Sequence, residues 1–374
     1  MAIPTLVPQA PAPVDQETHS TASTEDQCPL ALQEGQTSSS WGEAQTDGLS
    51  FVRRSLVNKG FSAAVQATIC NSWRSNTQKQ YNTYLAKWEL FTGKRGVDPL
   101  SPPVGIVLDF LQELYDSGLG YSCINTARSA LSTFLILENN VTIGAHPLVQ
   151  RFIRGVFQAR PALPRYTSTW DTSIVLRYLQ TLHPLTDLSL KNLTYKLIMM
   201  CALVTGQRCQ TIHLMSLKNM HMDEDKSYLF YIDQFVKQSA PGREQPVLTI
   251  PRFTSDEKLC VASTLEEYLS RTQDLRDGED QLFISVIRPY KKVSKETISR
   301  WIKEVMALSG VDTTMFTPRS TRAASTSKVF NKVPLQTIMK SASWRSDCVF
   351  NKFYNKPIAR SSENSFGHVL LSAV

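Results

Sequence analysis

The chain has 374 residues, which is enough for two domains of roughly 100–200 residues each. Its composition, with 42% hydrophobic and 20% charged residues, is typical of a globular protein. The longest apolar stretch, residues 197–204, is far shorter than the ~20 residues that cross a bilayer, so we expect no membrane-spanning segment and no membrane partner.

Charge is distributed unevenly along the chain. Residues 1–50 contain seven acidic residues and no Lys or Arg, whereas residues 51–374 hold all 40 basic residues and 26 of the 33 acidic ones, a net charge of +14. Because Lys and Arg displace condensed counterions from nucleic acids, this excess suggests a polyanionic partner. A basic surface with no such partner explains the charge equally well.

The acidic segment, residues 1–50, is rich in Pro, Ser, Thr and Gln and poor in aromatic residues. Such a segment cannot bury enough apolar surface to offset the entropy of its chain. We therefore predict a disordered N-terminal arm, with order beginning near Phe51.

Residues 51–158 are predicted as a helical domain of four or five helices. In the clearest pattern Tyr81, Leu85 and Trp88 recur three to four residues apart. Ser75 or Asn76 is the predicted N-cap, and Gly93 and Gly96 are predicted to end the helix. Three further helices are predicted after Pro102-Pro103, over residues 121–137 and over residues 147–158.

The polar faces of these helices carry basic side chains. They could contact phosphates, and a solvated face explains them equally well. The candidates are Arg74, Lys79, Lys87, Arg128, Arg151 and Arg154.

Residues 159–169 hold two prolines and two arginines, lack periodicity and are predicted as a linker. The second domain, residues 170–374, mixes helical patterns with one β-prone block. In that block residues 229–232 are apolar, Phe235-Val236 follows, and residues 247–250 come after turn residues. We predict a small antiparallel hairpin or three-stranded sheet inside a mostly helical domain.

Two patterns in the second domain carry side chains suited to chemistry on an anion. Arg208 follows an apolar helix and the turn at residues 205–207, so its planar guanidinium can fork onto two phosphate oxygens. Lys237 is predicted at the end of a strand, where it could donate a proton to a leaving oxygen. Each pattern alone is weak, because such residues are commonplace on protein surfaces.

Two more patterns lie nearer the C-terminus. Arg319 and Arg322 are three residues apart, so on a helix they would share one face and could converge on one anion. Trp344 is followed by an aromatic cluster that ends at Tyr354. Each pattern has an alternative explanation without chemistry. The arginines could simply begin a basic helix, and Tyr354 could simply be partly buried among aromatic rings.

Taken in chain order, six residues resemble the active-site series of tyrosine recombinases. That family has an Arg after a Thr-Gly turn, a Lys on a β-hairpin, a His-x-x-Arg, a His or Trp, and a Tyr. The six are Arg208, Lys237, Arg319, Arg322, Trp344 and Tyr354. Segments 205–210 and 320–324 and the tail from Trp344 look most like recombinases of eukaryotic mobile elements of the DIRS, Ngaro and Crypton groups.

The resemblance covers residues 61–374 and implies a mostly α fold with a small antiparallel β-sheet. It implies a core-binding domain at residues 51–158 that binds DNA and a catalytic domain with a C-terminal tail at residues 170–374. The implied activity is cleavage and rejoining of double-stranded DNA, in site-specific recombination that integrates or excises a mobile element. The implied assembly is a dimer or tetramer on DNA, and the DNA substrate points to the nucleus, although no targeting signal is evident.

The resemblance also implies a role for each residue. The three arginines would neutralise the non-bridging oxygens of a phosphodiester and stabilise its pentacoordinate transition state, and Trp344 would add an N–H donor. Tyr354 would form a 3′-phosphotyrosyl bond, and Lys237 would protonate the 5′-oxygen that leaves. Because these cations occupy the place of a metal and the sequence has no CxxC pair, we predict no metal and no cofactor.

Two positions depart from the family pattern. Arg319 stands where a His is expected, and Arg cannot accept a proton near neutral pH. Thr211 stands three residues after Arg208, where an acid that could orient this arginine is common. A catalytically silent DNA-binding protein derived from a recombinase is therefore one alternative. A type IB topoisomerase is another, against which the separate helical domain argues mildly.

Overall fold

The computed structural model describes residues 48–137, 141–161, 166–330, 332–344 and 346–358. The chain divides into two units, residues 1–163 and 164–374. The predicted class, mostly helical with a small antiparallel sheet, is confirmed. Within the described ranges, no helix has both the length and the apolar character needed to cross a membrane. Residues 1–47 of the predicted arm, and the C-terminal tail after residue 358, lie outside the described ranges.

The described part of the first unit packs six helices around one core. They are α1 (Gly48–Asn58), α2 (Ala63–Cys70), α3 (Ser75–Arg95), α4 (Val104–Asp116), α5 (Tyr121–Ser132) and α6 (Pro147–Ala159). Trp88 is fully buried, stacks on Phe91 and meets Phe110 edge to face. Its indole N–H donates to the Pro99 carbonyl at 3.0 Å, so the aromatic stripe of α3 belongs to the core.

Several sequence predictions for the first unit need correction. Helix α1 begins at Gly48, inside the predicted arm, because Phe51 and Val52 are buried and anchor it to the bundle. This helix and α2 bring the total to six rather than four or five. Ser75 and Asn76 are the first two residues of α3, and its N-cap is Arg74. The helix continues through Gly93 and ends at Gly96, its C-cap.

The helix predicted to run to residue 137 ends at Ser132. The Thr133 hydroxyl donates to the Ala130 carbonyl at 2.6 Å, a local bond that competes with continuation of the helix. The chain then forms a two-stranded antiparallel hairpin of β1 (Ile136–Leu137) and β2 (Val141–Thr142).

The second unit is built around a helix that is buried on all sides. Its helices are α7 (Thr172–Thr181), α8 (Leu190–Thr205), α9 (Cys209–His213), α10 (Val261–Thr272), α11 (Lys295–Leu308), α12 (Ser320–Val329), α13 (Leu335–Ser341) and α14 (Asp347–Phe353). Every residue of α8 from Leu193 to Ala202 is buried. Helices α10, α11 and α12 pack against α8, which explains why its sequence is apolar all round rather than on one face.

The predicted sheet has three antiparallel strands, β3 (Met220–Met222), β4 (Tyr228–Tyr231) and β5 (Val247–Ile250), with β4 in the centre. Phe230 of β4 lies opposite Leu248 of β5, and both are buried. Phe235-Val236 is not a strand. The third strand is instead β3, a short and half-exposed segment that lacks the β-branched residues of a typical strand.

The predicted linker spans residues 159–169. Its last residues, 166–169, pack as part of the second unit. The Tyr166 ring lies 5.7 Å from that of Phe316, measured between centroids. Thr169 is buried, donates its amide to the Pro357 carbonyl at 2.9 Å and forms a parallel bridge with Ile358. Two buried contacts therefore hold residues 166–169, which the proline-rich composition did not reveal.

Helix α8 carries one charged side chain inside the core. Lys196 is 0% exposed, and its Nζ donates to the Leu182 carbonyl at 2.6 Å. Burial lowers the pKa of Lys196 to about 8, although the negative charge of Asp256 acts in the opposite direction. The folded state therefore favours the neutral amine more than the unfolded state does.

Replacing Lys196 by Met is expected to alter how stability depends on pH. The amine has a pKa of about 8 in the fold against an ordinary value of 10.5, so stability is gained as the pH rises through this window. The wild-type free energy of unfolding should rise by about 2 kcal/mol relative to Lys196→Met between about pH 7 and about pH 10. Denaturant titration measures this, with Lys191→Met, exposed on the same helix, as the control. A wild-type-to-variant difference that stays constant with pH would contradict the expectation.

Candidate active site

The end of α8 fixes the position of Arg208. Gly206 ends the helix in the left-handed conformation with φ 58°. The left-handed conformation favours glycine, and a Cβ atom on this residue would come within a tight 3.3 Å of the Thr326 methyl. Arg208 follows two residues later as the N-cap of α9.

Gln207 ties this turn to the segment that carries Trp344. It is buried, and its Nε2 donates to the Ser341 carbonyl at 2.7 Å and to the Ser343 hydroxyl at 2.9 Å. From the other side, Nη2 of Arg322 donates to the Ala342 carbonyl. Residues 341–343 are therefore held by hydrogen bonds from both arginine-bearing segments. The sequence alone indicates no role for Gln207, because its partners are far away in the chain.

Three of the predicted residues lie in direct contact. Arg322 is only 3% exposed, and its guanidinium carbon lies 4.3 Å from the centroid of the Trp344 ring and 5.3 Å from that of the Tyr354 ring. The centroids of the Trp344 and Tyr354 rings are 4.6 Å apart. The cation thus faces two aromatic rings, which stabilise it through their π electrons.

Several polar atoms of this cluster are buried without a hydrogen-bond partner among the described residues. They are Nη1 of Arg208, Nε and Nη1 of Arg322, and Nε1 of Trp344. An unpaired buried donor costs roughly 1–3 kcal/mol, so several in one place point to a ligand rather than to a structural role. All four are donors, and two belong to cations, so an anion with several acceptor oxygens fits the arrangement.

Electrostatics at Arg322 point the same way. Burial lowers the pKa of Arg322, the positive charge of Arg208 lowers this pKa further, and Tyr354 raises it. The two guanidinium groups therefore repel each other across the site, and a bound anion would relieve that repulsion. In the part of the chain that the structure describes, His, Cys, Asp and Glu form no group of three that could hold a metal ion.

Thr211 occupies the position from which an acid could have paired with Arg208. It is buried one turn after Arg208, at the position where a carboxylate was anticipated, and its amide donates to the Arg208 carbonyl at 2.9 Å. A threonine hydroxyl brings no negative charge, so it does not replace the ion pair that an acid would supply. Nη1 of Arg208 therefore keeps its capacity to donate.

Tyr354 is fixed through its backbone to the helix that carries Arg322. It directly follows α14, and its amide donates to the Phe350 carbonyl at 2.8 Å. Its carbonyl accepts from the Ser327 hydroxyl of α12 at 2.8 Å, and the same Ser327 oxygen accepts from the Lys356 amide at 3.0 Å. The phenol ring is only half-buried, which leaves it open to a substrate.

Arg319 and Lys237 lie at the margins of this cluster. Arg319 is exposed at the N-terminus of α12, and its charge acts on the thiol of Cys209, so it is close to the Arg208 turn. Lys237 is half-buried in a turn between β4 and β5, not at a strand end as the sequence predicted. The contacts among Arg208, Arg322 and the two aromatic residues described above do not involve it.

The six basic residues predicted to contact DNA lie on α3, α5 and α6 of the first unit. Arg74, Lys79, Arg151 and Arg154 are exposed, whereas Lys87 and Arg128 are half-buried. Arg128 differs from the rest, because its Nε is buried without a partner among the described residues and its charge acts on Tyr81. Phosphate contact by these residues stays a prediction.

Comparisons with known proteins show what this chain is similar to. Residues 176–359, which include all six residues of the predicted series, match the model of the phage integrase family. Among solved structures, the chain is similar to the Tn1549 transposon integrase in complex with transposon right end DNA, at 13% identity and a TM-score of 0.53, over 87% of this chain and 98% of that one. No curated protein matches the chain.

It is also similar to the XerH site-specific recombinase bound to palindromic difH substrate in a post-cleavage complex. The identity is 13% and the TM-score 0.52, over 82% of this chain and 84% of that one. At this identity the two structures establish the fold, which is that of the tyrosine recombinases, over both units of the chain.

The unpaired donors predict that an inorganic phosphate analogue stabilises the protein. Vanadate should raise the melting temperature of the wild type, because a ligand bound only to the folded state shifts unfolding by mass action. Arg322→Lys should lose most of that shift, since an ammonium group lacks the planar fork. Differential scanning fluorimetry measures it, with Arg300→Lys on the exposed side of α11 as the control. Equal shifts in the wild type and Arg322→Lys would contradict an anion site at Arg322.

Proposed function

Since residues 176–359 match the phage integrase family, we propose that the chain cleaves and rejoins DNA through a covalent phosphotyrosyl intermediate. The observation that carries this proposal is the contact of Tyr354 with Arg322 and Trp344, beside buried donors that have no hydrogen-bond partner among the described residues. A phosphodiester is an anion with two non-bridging oxygens, which match a pair of guanidinium groups in charge and geometry.

The reaction follows from the chemistry of these groups. Arg208 and Arg322 hold the non-bridging oxygens and stabilise the charge of the pentacoordinate transition state. Tyr354 gives up its proton to solvent, and its oxygen forms a bond to phosphorus while the bond from phosphorus to the 5′-oxygen breaks. Lys237 supplies the proton that this 5′-oxygen takes up as it leaves. The products are a 3′-phosphotyrosyl ester and a free 5′-hydroxyl.

Rejoining is the reverse of these steps. A 5′-hydroxyl from the same or another strand attacks the phosphotyrosyl ester, Lys237 takes its proton, and Tyr354 leaves. Because the ester keeps the free energy of the broken bond, no nucleotide hydrolysis is needed. Arg319 contributes positive charge near Arg208 but cannot act as a base at neutral pH, so this chain has to release the tyrosine proton without a histidine.

Basic residues beside the site support approach by a polyanion. Helix α9, which begins after Arg208, packs against α11. Burial lowers the pKa of His213 of α9, the charge of Glu296 raises it, and the charges of Lys292 and Lys295, both exposed, lower it further. A duplex that places a phosphate between the arginines would therefore pass cationic side chains, which favours binding at low salt.

We further propose that the biological reaction is site-specific recombination of a mobile element, by a dimer or tetramer assembled on double-stranded DNA. A transposon integrase on transposon end DNA and a site-specific recombinase on its substrate share the fold, which supports this proposal. Membership of the DIRS, Ngaro or Crypton groups and a nuclear location remain part of it. They rest on the sequence segments quoted above and on the DNA substrate.

Covalent trapping tests the proposed function. With a nicked duplex, which loses its short product strand after cleavage, the wild type should form an adduct that survives denaturing electrophoresis. Tyr354→Phe should form none yet bind DNA as the wild type does, because only the nucleophile is removed. Tyr290→Phe is the matched control. An adduct formed by Tyr354→Phe would refute the assignment of the nucleophile.

The same experiment separates the catalytically silent alternative, which Arg319 and Thr211 favour. The alternative would be supported if the wild type and Tyr354→Phe bound DNA equally well and the wild type formed no adduct on any nicked duplex selected for binding. In that case Lys237 would not act as an acid either.

Lys237 is expected to act as the acid for the leaving 5′-oxygen. Lys237→Ala should slow cleavage by about 10²–10⁴-fold, the usual contribution of a general acid. A substrate with sulfur in place of the bridging 5′-oxygen should restore the rate, because a thiolate leaves without a proton. Lys218→Ala, an exposed lysine near β3, is the control. If Lys237→Ala cleaves both substrates equally slowly, the residue acts in binding and not as the acid.

A further inference from the structure

The connection between β4 and β5 exposes an aromatic ring next to Lys237. Phe235 is 84% exposed, more than any other large apolar side chain in the described ranges. The next residue, Val236, is 1% exposed and belongs to the main core of the second unit. The fold buries Val236 but leaves the neighbouring Phe235 in solvent. The exposure of such a large apolar ring therefore needs an explanation.

Phe235 is held on a braced segment. Ile232 and Val236 are both buried in the core and bracket residues 233–235. The Val236 amide donates to the Ser239 hydroxyl at 2.9 Å, and that hydroxyl donates to Oε1 of Gln245 at 2.8 Å. The returning half of the connection is therefore tied to its outgoing half. Because the backbone that carries the Phe235 ring is already fixed, little conformational entropy is lost when the ring binds.

The proximity of Phe235 to Lys237 points to the ligand. The two residues are two positions apart in the chain, so their Cα atoms are at most ~7 Å apart, because consecutive Cα atoms are separated by 3.8 Å. If Lys237 reaches the leaving 5′-oxygen, the same short connection brings the exposed ring of Phe235 to the DNA surface near the cleaved bond.

We propose that Phe235 inserts its ring against the base step beside the scissile phosphodiester and unstacks it. This inference rests on the proposed function, and in particular on Lys237 as the acid. Phe is among the side chains that wedge between base pairs, and every base offers a π face for an aromatic ring. Because pyrimidine–purine steps unstack most easily, Phe235 also gives the chain a preference for such a step at the cleavage site.

The test uses the full chain and a duplex that the wild type selects from a random-sequence pool. The fluorescent base 2-aminopurine, which brightens when unstacked, replaces bases one at a time around the mapped cleavage site. The wild type and Phe235→Tyr should brighten one or two positions, and Phe235→Ala should brighten none. Phe235→Ala should also bind about tenfold more weakly, the usual loss for one base–aromatic stack. Phe253→Ala, a partly exposed Phe outside this connection, is the control.

Three outcomes would overturn the inference. If Phe235→Ala and the wild type show the same brightening and the same affinity, the ring does not contact the bases. If the wild type self-associates without DNA in sedimentation and Phe235→Ala does not, while both brighten 2-aminopurine equally, the ring serves a protein interface. Failure of the wild type to select any duplex overturns the inference and the proposed function together, whereas the first two outcomes leave covalent trapping by Tyr354 intact.

Discussion

The burial of one cation organises the second unit. Arg322 lies almost entirely out of water, where an isolated charge is very unfavourable. The fold compensates with the Ala342 carbonyl, which accepts one hydrogen bond, and with the faces of Trp344 and Tyr354. Two of its nitrogens are still unpaired within the described ranges, so the fold alone leaves the compensation incomplete. The contacts that bury this arginine are also the contacts that place Tyr354, the proposed nucleophile, beside it.

Helix α12 holds these groups in register. Arg319 precedes its first residue, Arg322 lies in its first turn, and Ser327 near its end binds the backbone around Tyr354. The helix is itself fixed at both ends. The Trp170 indole N–H donates to the Ser320 hydroxyl at 2.9 Å, and Lys328 pairs with Asp171 at 2.9 Å. Partial burial raises the pKa of Asp171, but the hydrogen bonds from Lys328 and Ser173 outweigh it and lower this pKa to about 2. The Asp171 carboxylate therefore keeps its charge over the physiological range.

Local sequence signals predicted the parts of the structure that depend on neighbours in the chain. Gly206 marked the end of α8 because only glycine is free of strain in the left-handed conformation, and the apolar run before it marked a buried helix. The six residues of the predicted series come from a resemblance to a family pattern, and their catalytic roles stay a prediction. The partners of Gln207, which are 134 and 136 residues away, were not predicted, since a hydrogen bond across the fold leaves no periodic trace. Strand β3 was missed because pairing, not propensity, makes Met220–Met222 extended.

The bridge between Thr169 and Ile358 has a mechanical consequence. Residues 161–169 join the two units along the chain, and the last of them is hydrogen-bonded to Pro357, just beyond Tyr354. Residues 166–169, which enter the second unit, and residues 357–358, which follow Tyr354, therefore run in parallel at this bridge and restrain each other. A substitution that displaced either segment would shift both the backbone that leads into α7 and the backbone just after Tyr354.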